Sequence, residues 1–180
     1  MTTNPSVRIP SLADFLAQPD IESSPAWEFL AGKAVQKPMP TLFRSRLQRN
    51  LVNYISDRTE QFEAIQELRC IVPPYSPVPD IAIVDRDRLP AEDEPFNGAP
   101  DWLVEIGSRN QSRITLQTKI LHCLSNGTQL AWFIDTTRER IWVWQGDDLP
   151  MVCSRTYPLL DLNIQLQLTV ESVVAMTRRQ

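Results

Sequence analysis

A chain of 180 residues, 42% hydrophobic and 22% charged, can bury a sizeable core and is expected to form a single domain over residues 1–180. Its net charge of -4 counts against broad electrostatic binding of nucleic acid, because phosphate affinity comes largely from Lys and Arg releasing counterions; only a local basic groove would serve. No apolar run approaches the roughly 18 residues of a membrane span, and the first residues lack the pattern of a secretory signal, so a cytoplasmic protein without a membrane partner is expected.

In chain order, SLADFLAQ places Ser11 three residues before Asp14, a capping signal for a short helix. GKAVQKP predicts a short strand. Over residues 45–56, Leu47, Leu51 and Ile55 recur at steps of four, which predicts an amphipathic helix. Arg46 and Arg49 fall on its opposite face and Arg44 just before it; all three are taken as solvated rather than phosphate-binding. Residues 68–72 and 81–84 predict two strands joined by the stiff PPYSPVP connector, and DWLVEIGS predicts a third. Leu116, Ile120 and Leu124 mark a helix, with Ser112 as its cap and Gly127 just beyond its end. LAWFIDT and RIWVWQ follow as a hairpin, and TVESVVAM predicts a closing helix. Trp132, Trp142 and Trp144 are expected to pack a core or an interface rather than stack on bases. The sum is a mixed sheet with helices packed on it, of α/β (α+β) class.

The chemical inventory is narrow. His122 is the single histidine, which removes free choice of a Ser-His-Asp arrangement and every two-histidine metal site. On the helix it is expected at the surface. Cys70, Cys123 and Cys153 form no CxxC pair and are expected to be reduced, buried hydrophobes. That leaves carboxylates, Lys, Arg and hydroxyls. Asp80 heads an apolar strand and Glu105 lies inside another, between Val104 and Ile106. Burying either charge is costly without compensation, from a cation or from a Lys or Arg salt bridge. Lys119, on the next helix, is expected on the flank of the sheet-facing stripe, from where it could reach over the strand ends. Two carboxylates plus water suit Mg²⁺, and a nearby Lys suits phosphodiester hydrolysis. The plainer reading is a strand entry and a structural ion pair, and Asp101 is taken as a strand entry alone.

VPDIAIV, PDWLVEIGS, the helix bearing TKILHCLSNG, and LAWFID follow one another in an order that resembles the Uma-two family of restriction endonuclease-like proteins, within the PD-(D/E)XK nuclease superfamily. WEFLAGKAVQKPMP is similar to the family's entry segment, and the likeness covers about residues 9 to 170. It implies a restriction endonuclease-like mixed β-sheet flanked by helices, with an added C-terminal β-hairpin region. By position it implies Asp80 and Glu105 as metal ligands, the Ile106 backbone carbonyl as a third, and Lys119 as the catalytic lysine. The superfamily's usual lysine position, two residues after the Glu, is Gly107 here. Glu28 matches a residue that can add a contact to metal or water, and Arg109 and Arg113 would lie beside the active-site strand. The implied activity is a Mg²⁺- or Mn²⁺-dependent DNA endonuclease working as a homodimer. Three departures keep an alternative open: residues 41–44 replace a family His, HCLSNG lacks a family Tyr, and GSRNQS replaces a Ser-Pro-Ser segment. That alternative is a catalytically weakened or inactive member serving as a nucleic-acid-binding or assembly module.

Overall fold

The computed structural model describes residues 6–107, 111–146 and 148–178. Its elements in chain order are β1 (Ser6–Arg8), α1 (Leu12–Leu16), β2 (Trp27–Leu30), β3 (Lys33–Gln36), α2 (Leu42–Ser56), β4 (Phe62–Gln66) and β5 (Cys70–Ile71). There follow β6 (Ile81–Asp85), a short 3-10 turn, β7 (Phe96–Asn97), β8 (Trp102–Ile106) and α3 (Arg113–Leu124). The chain continues with β9 (Leu130–Asp135), β10 (Arg140–Gln145), β11 (Met151–Ser154) and α4 (Val170–Ala175).

The central sheet has six strands in the order β11-β10-β9-β8-β6-β4. Its pairs are antiparallel except β8 with β9, and that parallel pair is what α3 bridges. Strand alternation sorts side chains onto two faces. Ile81, Ile83, Trp102, Val104, Ile106, Leu130, Trp132 and Ile134 pack against Leu47, Leu51 and Ile55 of α2 and Val170 and Val173 of α4. On the other face Ala82, Val84, Leu103, Ala131 and Phe133 pack against Leu116, Ile120 and Cys123 of α3. The result is the expected α+β class, a mixed sheet between helices. A separate three-stranded sheet, β1-β3-β2, closes over Phe15 of α1 with Phe29 and Ala34.

The caps follow the sequence. The Ser11, Thr41, Ser112 and Thr169 side chains each accept a backbone N–H three residues on, and Gly127 adopts φ +111° past the end of α3. One strand expectation is corrected. Within residues 68–72 only Cys70–Ile71 is strand, paired in parallel with β7 outside the central sheet. Beside β6, on the side away from β8, lies β4, an edge strand not expected from the sequence; its FEAIQ alternates Phe62 and Ala64 inward with Glu63 outward. An edge strand with one wet face carries little apolar signal. All three cysteines are buried and unpaired. Among the described residues no helix is long and apolar enough to cross a membrane.

Candidate active site

Asp80 and Glu105 meet through the register of β6 and β8. Ile81 pairs with Val104, so one further antiparallel step brings Asp80 across from Glu105. Asp80 Oδ2 accepts the Ile106 N–H at 2.7 Å, which ties the two strand ends together. Glu105 shares the strand face of Leu103, the face covered by α3. There Lys119 lies within the buried stripe of Leu116, Ile120 and Cys123, rather than on its flank. Its Nζ is 2.7 Å from Glu105 Oε1. Asp80, Glu105 and Lys119 are all 1% exposed or less.

Opposed carboxylates repel, and three cations offset them. Asp80 Oδ1 accepts from Lys37 Nζ at 2.9 Å and from the Arg44 guanidinium. Lys37 also donates to the Val78 carbonyl at 2.8 Å and stands 3.5 Å from Glu67. On β2, Glu28 Oε1 accepts from Lys119 Nζ at 2.7 Å and from the Val78 N–H at 2.8 Å. Three buried acids (Glu28, Asp80, Glu105) therefore face three buried bases (Lys37, Arg44, Lys119). The small sheet delivers Glu28 and Lys37 to the head of β6, and Val78, two residues before Asp80, links them.

The carboxylates differ in what they lack. Burial alone would raise the Asp80 carboxyl, but Lys37, Arg44 and Lys119 together hold it well below the usual carboxylate range. Burial pushes the Glu105 carboxyl up to about 7; Lys119 opposes the rise and Asp80 adds to it. Burial would lower the Lys119 amine, yet Glu105, Glu28 and Asp80 raise it above an ordinary lysine, so it stays an ammonium. Glu105 Oε1 is held by the Lys119 ammonium, while Oε2 has no hydrogen-bond partner.

Among the described residues no group of three or more His, Cys, Asp or Glu side chains is arranged to hold a metal ion. A cation here would rely on two carboxylates, the Ile106 carbonyl and water. These hard oxygen donors suit Mg²⁺ or Mn²⁺ in kind, since such ions accept one or two carboxylates and keep much of their water. Glu105 Oε2 is the donor ready for it. Asp80 would have to exchange Lys37 or Arg44.

Arg44 corrects an expectation. It is 4% exposed, not solvated, because it continues the inward stripe of Leu47, Gln48 and Leu51 back by three and four residues. That spacing was visible in the sequence. Lys37, directly after a strand and directly before Pro38, went unnoticed; only its place within an apolar entry segment hints at burial. Arg109 lies outside the described residues. Arg113 opens α3 and pairs with Asp135 at 2.7 Å. His122 is half-buried rather than exposed: its Nε2–H donates to the Val72 carbonyl at 2.7 Å and its ring stacks on Tyr75 at 4.0 Å. Asp101 does more than enter a strand, accepting the Asp85 N–H at 2.8 Å and pairing with Arg88 at 2.7 Å. Trp132 packs edge-on against Trp102 in the core.

Gly107 explains where the lysine sits. A Cβ there would stand 2.9 Å from two atoms of the Phe133 ring, so a side chain at the position that follows Glu105 by two would have to push that ring aside. The ammonium comes instead from α3. Gly107→Ala is expected to cost about 1–3 kcal/mol through displacement of Phe133, and thermal melting would measure it.

Fold and cluster together define the class: a mixed α+β sheet with an Asp and a Glu facing each other at its central strands and a Lys brought over them by the helix α3. This architecture matches the crystal structure of a putative nuclease belonging to DUF820 from Anabaena variabilis, with a TM-score of 0.87 and 32% identity over 93% of this chain and 99% of that one. The family model described as Uma2, putative restriction endonuclease, matches residues 12–174, and the chain belongs to that family. No curated protein matches the chain.

Proposed function

We propose that the chain is a nuclease that hydrolyses phosphodiester bonds in DNA, with Asp80, Glu105 and the Ile106 carbonyl holding Mg²⁺ or Mn²⁺. The observation that carries this is Glu105: a fully buried carboxylate whose Oε2 lacks a hydrogen-bond partner, beside a lysine and opposite a second acid. Family membership supports it. A bound dication would supply Lewis acidity toward a phosphoryl oxygen and a lowered pKa for water. Lys119, kept cationic by Glu105 and Glu28, orients the attacking water and offsets charge developing on the phosphate. Glu28 fixes the lysine through its second bond, to the Val78 N–H. Lys37 and Arg44 hold Asp80 ionised. Cutting both strands of a duplex requires two such sites, which a twofold dimer provides.

One observation favours a second reading. The six buried charges balance without any ion, as in a structural network of a member that only binds or assembles. Incubation with supercoiled plasmid, single-stranded DNA and RNA, with Mg²⁺ or Mn²⁺ and with EDTA, separates the two. The nuclease reading expects metal-dependent cleavage of DNA that Lys119→Met abolishes. No cleavage with either ion, or cleavage unchanged by that substitution, supports the balanced network instead.

A further inference from the structure

We propose that a groove at the carboxyl ends of β8 and β9 binds a single-stranded segment of nucleic acid, with Arg113 and Arg138 holding phosphate and Trp142 stacking on a base. The proposal rests on the nuclease reading for its choice of ligand. Its geometry is independent of the acid cluster.

The groove has a cationic end. It begins at Gly107, two residues past Glu105, as a cleft of about 370 Å³ lined by Arg113, Asp135 and Arg138. Asp135 is 6% exposed at the end of β9. Its Oδ2 accepts from Arg113 at 2.7 Å and from Arg138 at 3.1 Å. Its Oδ1 takes the Thr137 and Arg138 N–H groups at 3.1 and 3.0 Å, fixing the turn that carries Arg138. One buried carboxylate thus anchors two guanidiniums whose side chains are 53% and 57% exposed. Two positive charges against one negative leave the cleft at +1. Each guanidinium has five N–H donors in a planar fork, so anchoring through one nitrogen leaves donors for the paired oxygens of a phosphate. A chain of net charge -4 gains a local basic patch this way.

The other end is aromatic. A second hollow of about 230 Å³ shares Arg113, Leu116 and Phe133 with the first and continues along Trp142 and Trp144. Trp142 is half-exposed, with its ring 5.3 Å from Phe133 and 5.9 Å from the Arg113 guanidinium. Phosphate-binding arginines that merge into an aromatic platform match an unpaired strand, whose bases offer their faces for stacking. A duplex presents only base edges in its grooves. Gln111 supplies an independent sign: its Oε1 is buried, without a hydrogen-bond partner, and lines the same cleft. Such an acceptor suits an amino or hydroxyl donor of a nucleotide.

The test measures binding with cleavage switched off. A fluorescein-labelled oligothymidylate of roughly a dozen nucleotides is titrated with the full chain in EDTA, from about 50 to about 200 mM salt, beside the matching duplex. The wild type is expected to prefer the single strand. Arg113→Gln and Arg138→Gln should each weaken binding about tenfold and each flatten the salt dependence by about one phosphate contact. Arg113→Lys and Arg138→Lys should keep the salt slope. Trp142→Leu, which preserves apolar packing, should weaken binding about tenfold with the slope unchanged. No binding by the wild type, preference for the duplex, or variants that bind as the wild type does would overturn the groove. Binding lost in these variants without any metal-dependent cleavage by the wild type would leave the groove standing and remove the nuclease reading. Cleavage lost with Lys119→Met but untouched by the groove variants would do the reverse.

Discussion

Asp80→Ala is expected to produce the largest loss of stability of any single substitution at the site. It removes the carboxylate that receives Lys37, Arg44 and the Ile106 N–H, and leaves two cations inside the protein, each at 4% exposure. Removing one partner of a buried pair typically costs about 3–5 kcal/mol, because the remaining charge stays desolvated. Out of a typical total of about 5–15 kcal/mol, that is a large share. The melting temperature should fall by about 10 °C or more. Pairing Asp80→Asn with Lys37→Met removes a charge from each side and should recover part of the fall. A drop of under about 2 °C would mean that Lys37 and Arg44 escape to water, and that Asp80 is not the centre of the network.

Glu105→Gln should act in opposite directions on stability and activity. The glutamine resembles a protonated glutamate, so it avoids burying a full charge whose Oε2 has no hydrogen-bond partner. Glutamate ordinarily titrates near 4.5, and burial raises Glu105 to about 7 in the folded chain. Between those values the folded protein holds a proton that the unfolded chain releases. The contribution of Glu105 is therefore fully present below about pH 4.5 and is lost as the pH rises through 7. Glu105→Gln should melt near the wild-type temperature at pH 4.5 and several degrees above it at pH 8, a gain of up to about 3 kcal/mol. Asp80 has the opposite sign: its lowered value gives stability present above its ordinary 3.8 and lost as the pH falls. Cleavage by Glu105→Gln should drop about a thousandfold, since it loses the carboxylate proposed to bind the cation. A variant that melts lower at pH 8 would show that the Lys119 pair outweighs the burial of Glu105.

Much of this architecture was legible because strands and helices declare themselves through period. The Leu116 and Ile120 spacing placed α3 correctly, although the buried face runs through Lys119 and Cys123 rather than Leu124, and β8 is a run whose only charge is Glu105. What stayed hidden had weak local signals. FEAIQ is an edge strand with a wet face, and its pairing with β6 is a tertiary choice across a long connection. Lys37 was hidden because its partner Asp80 lies 43 residues on; Arg44 could be placed inward by its helical spacing, but its pairing with Asp80 could not. Asp135 closes β9, and only the hairpin turn, not any local signal, brings Arg138 back to it.

The central claim is that two acids from different strands share one dication beside Lys119. Calorimetric titration of Mn²⁺ into the metal-free protein at pH 8, wild type beside Glu105→Gln, measures this directly. The account predicts saturable binding of a single ion by the wild type and none by a variant that still melts cooperatively. Absence of binding in the wild type, or equal binding in both proteins, would contradict it.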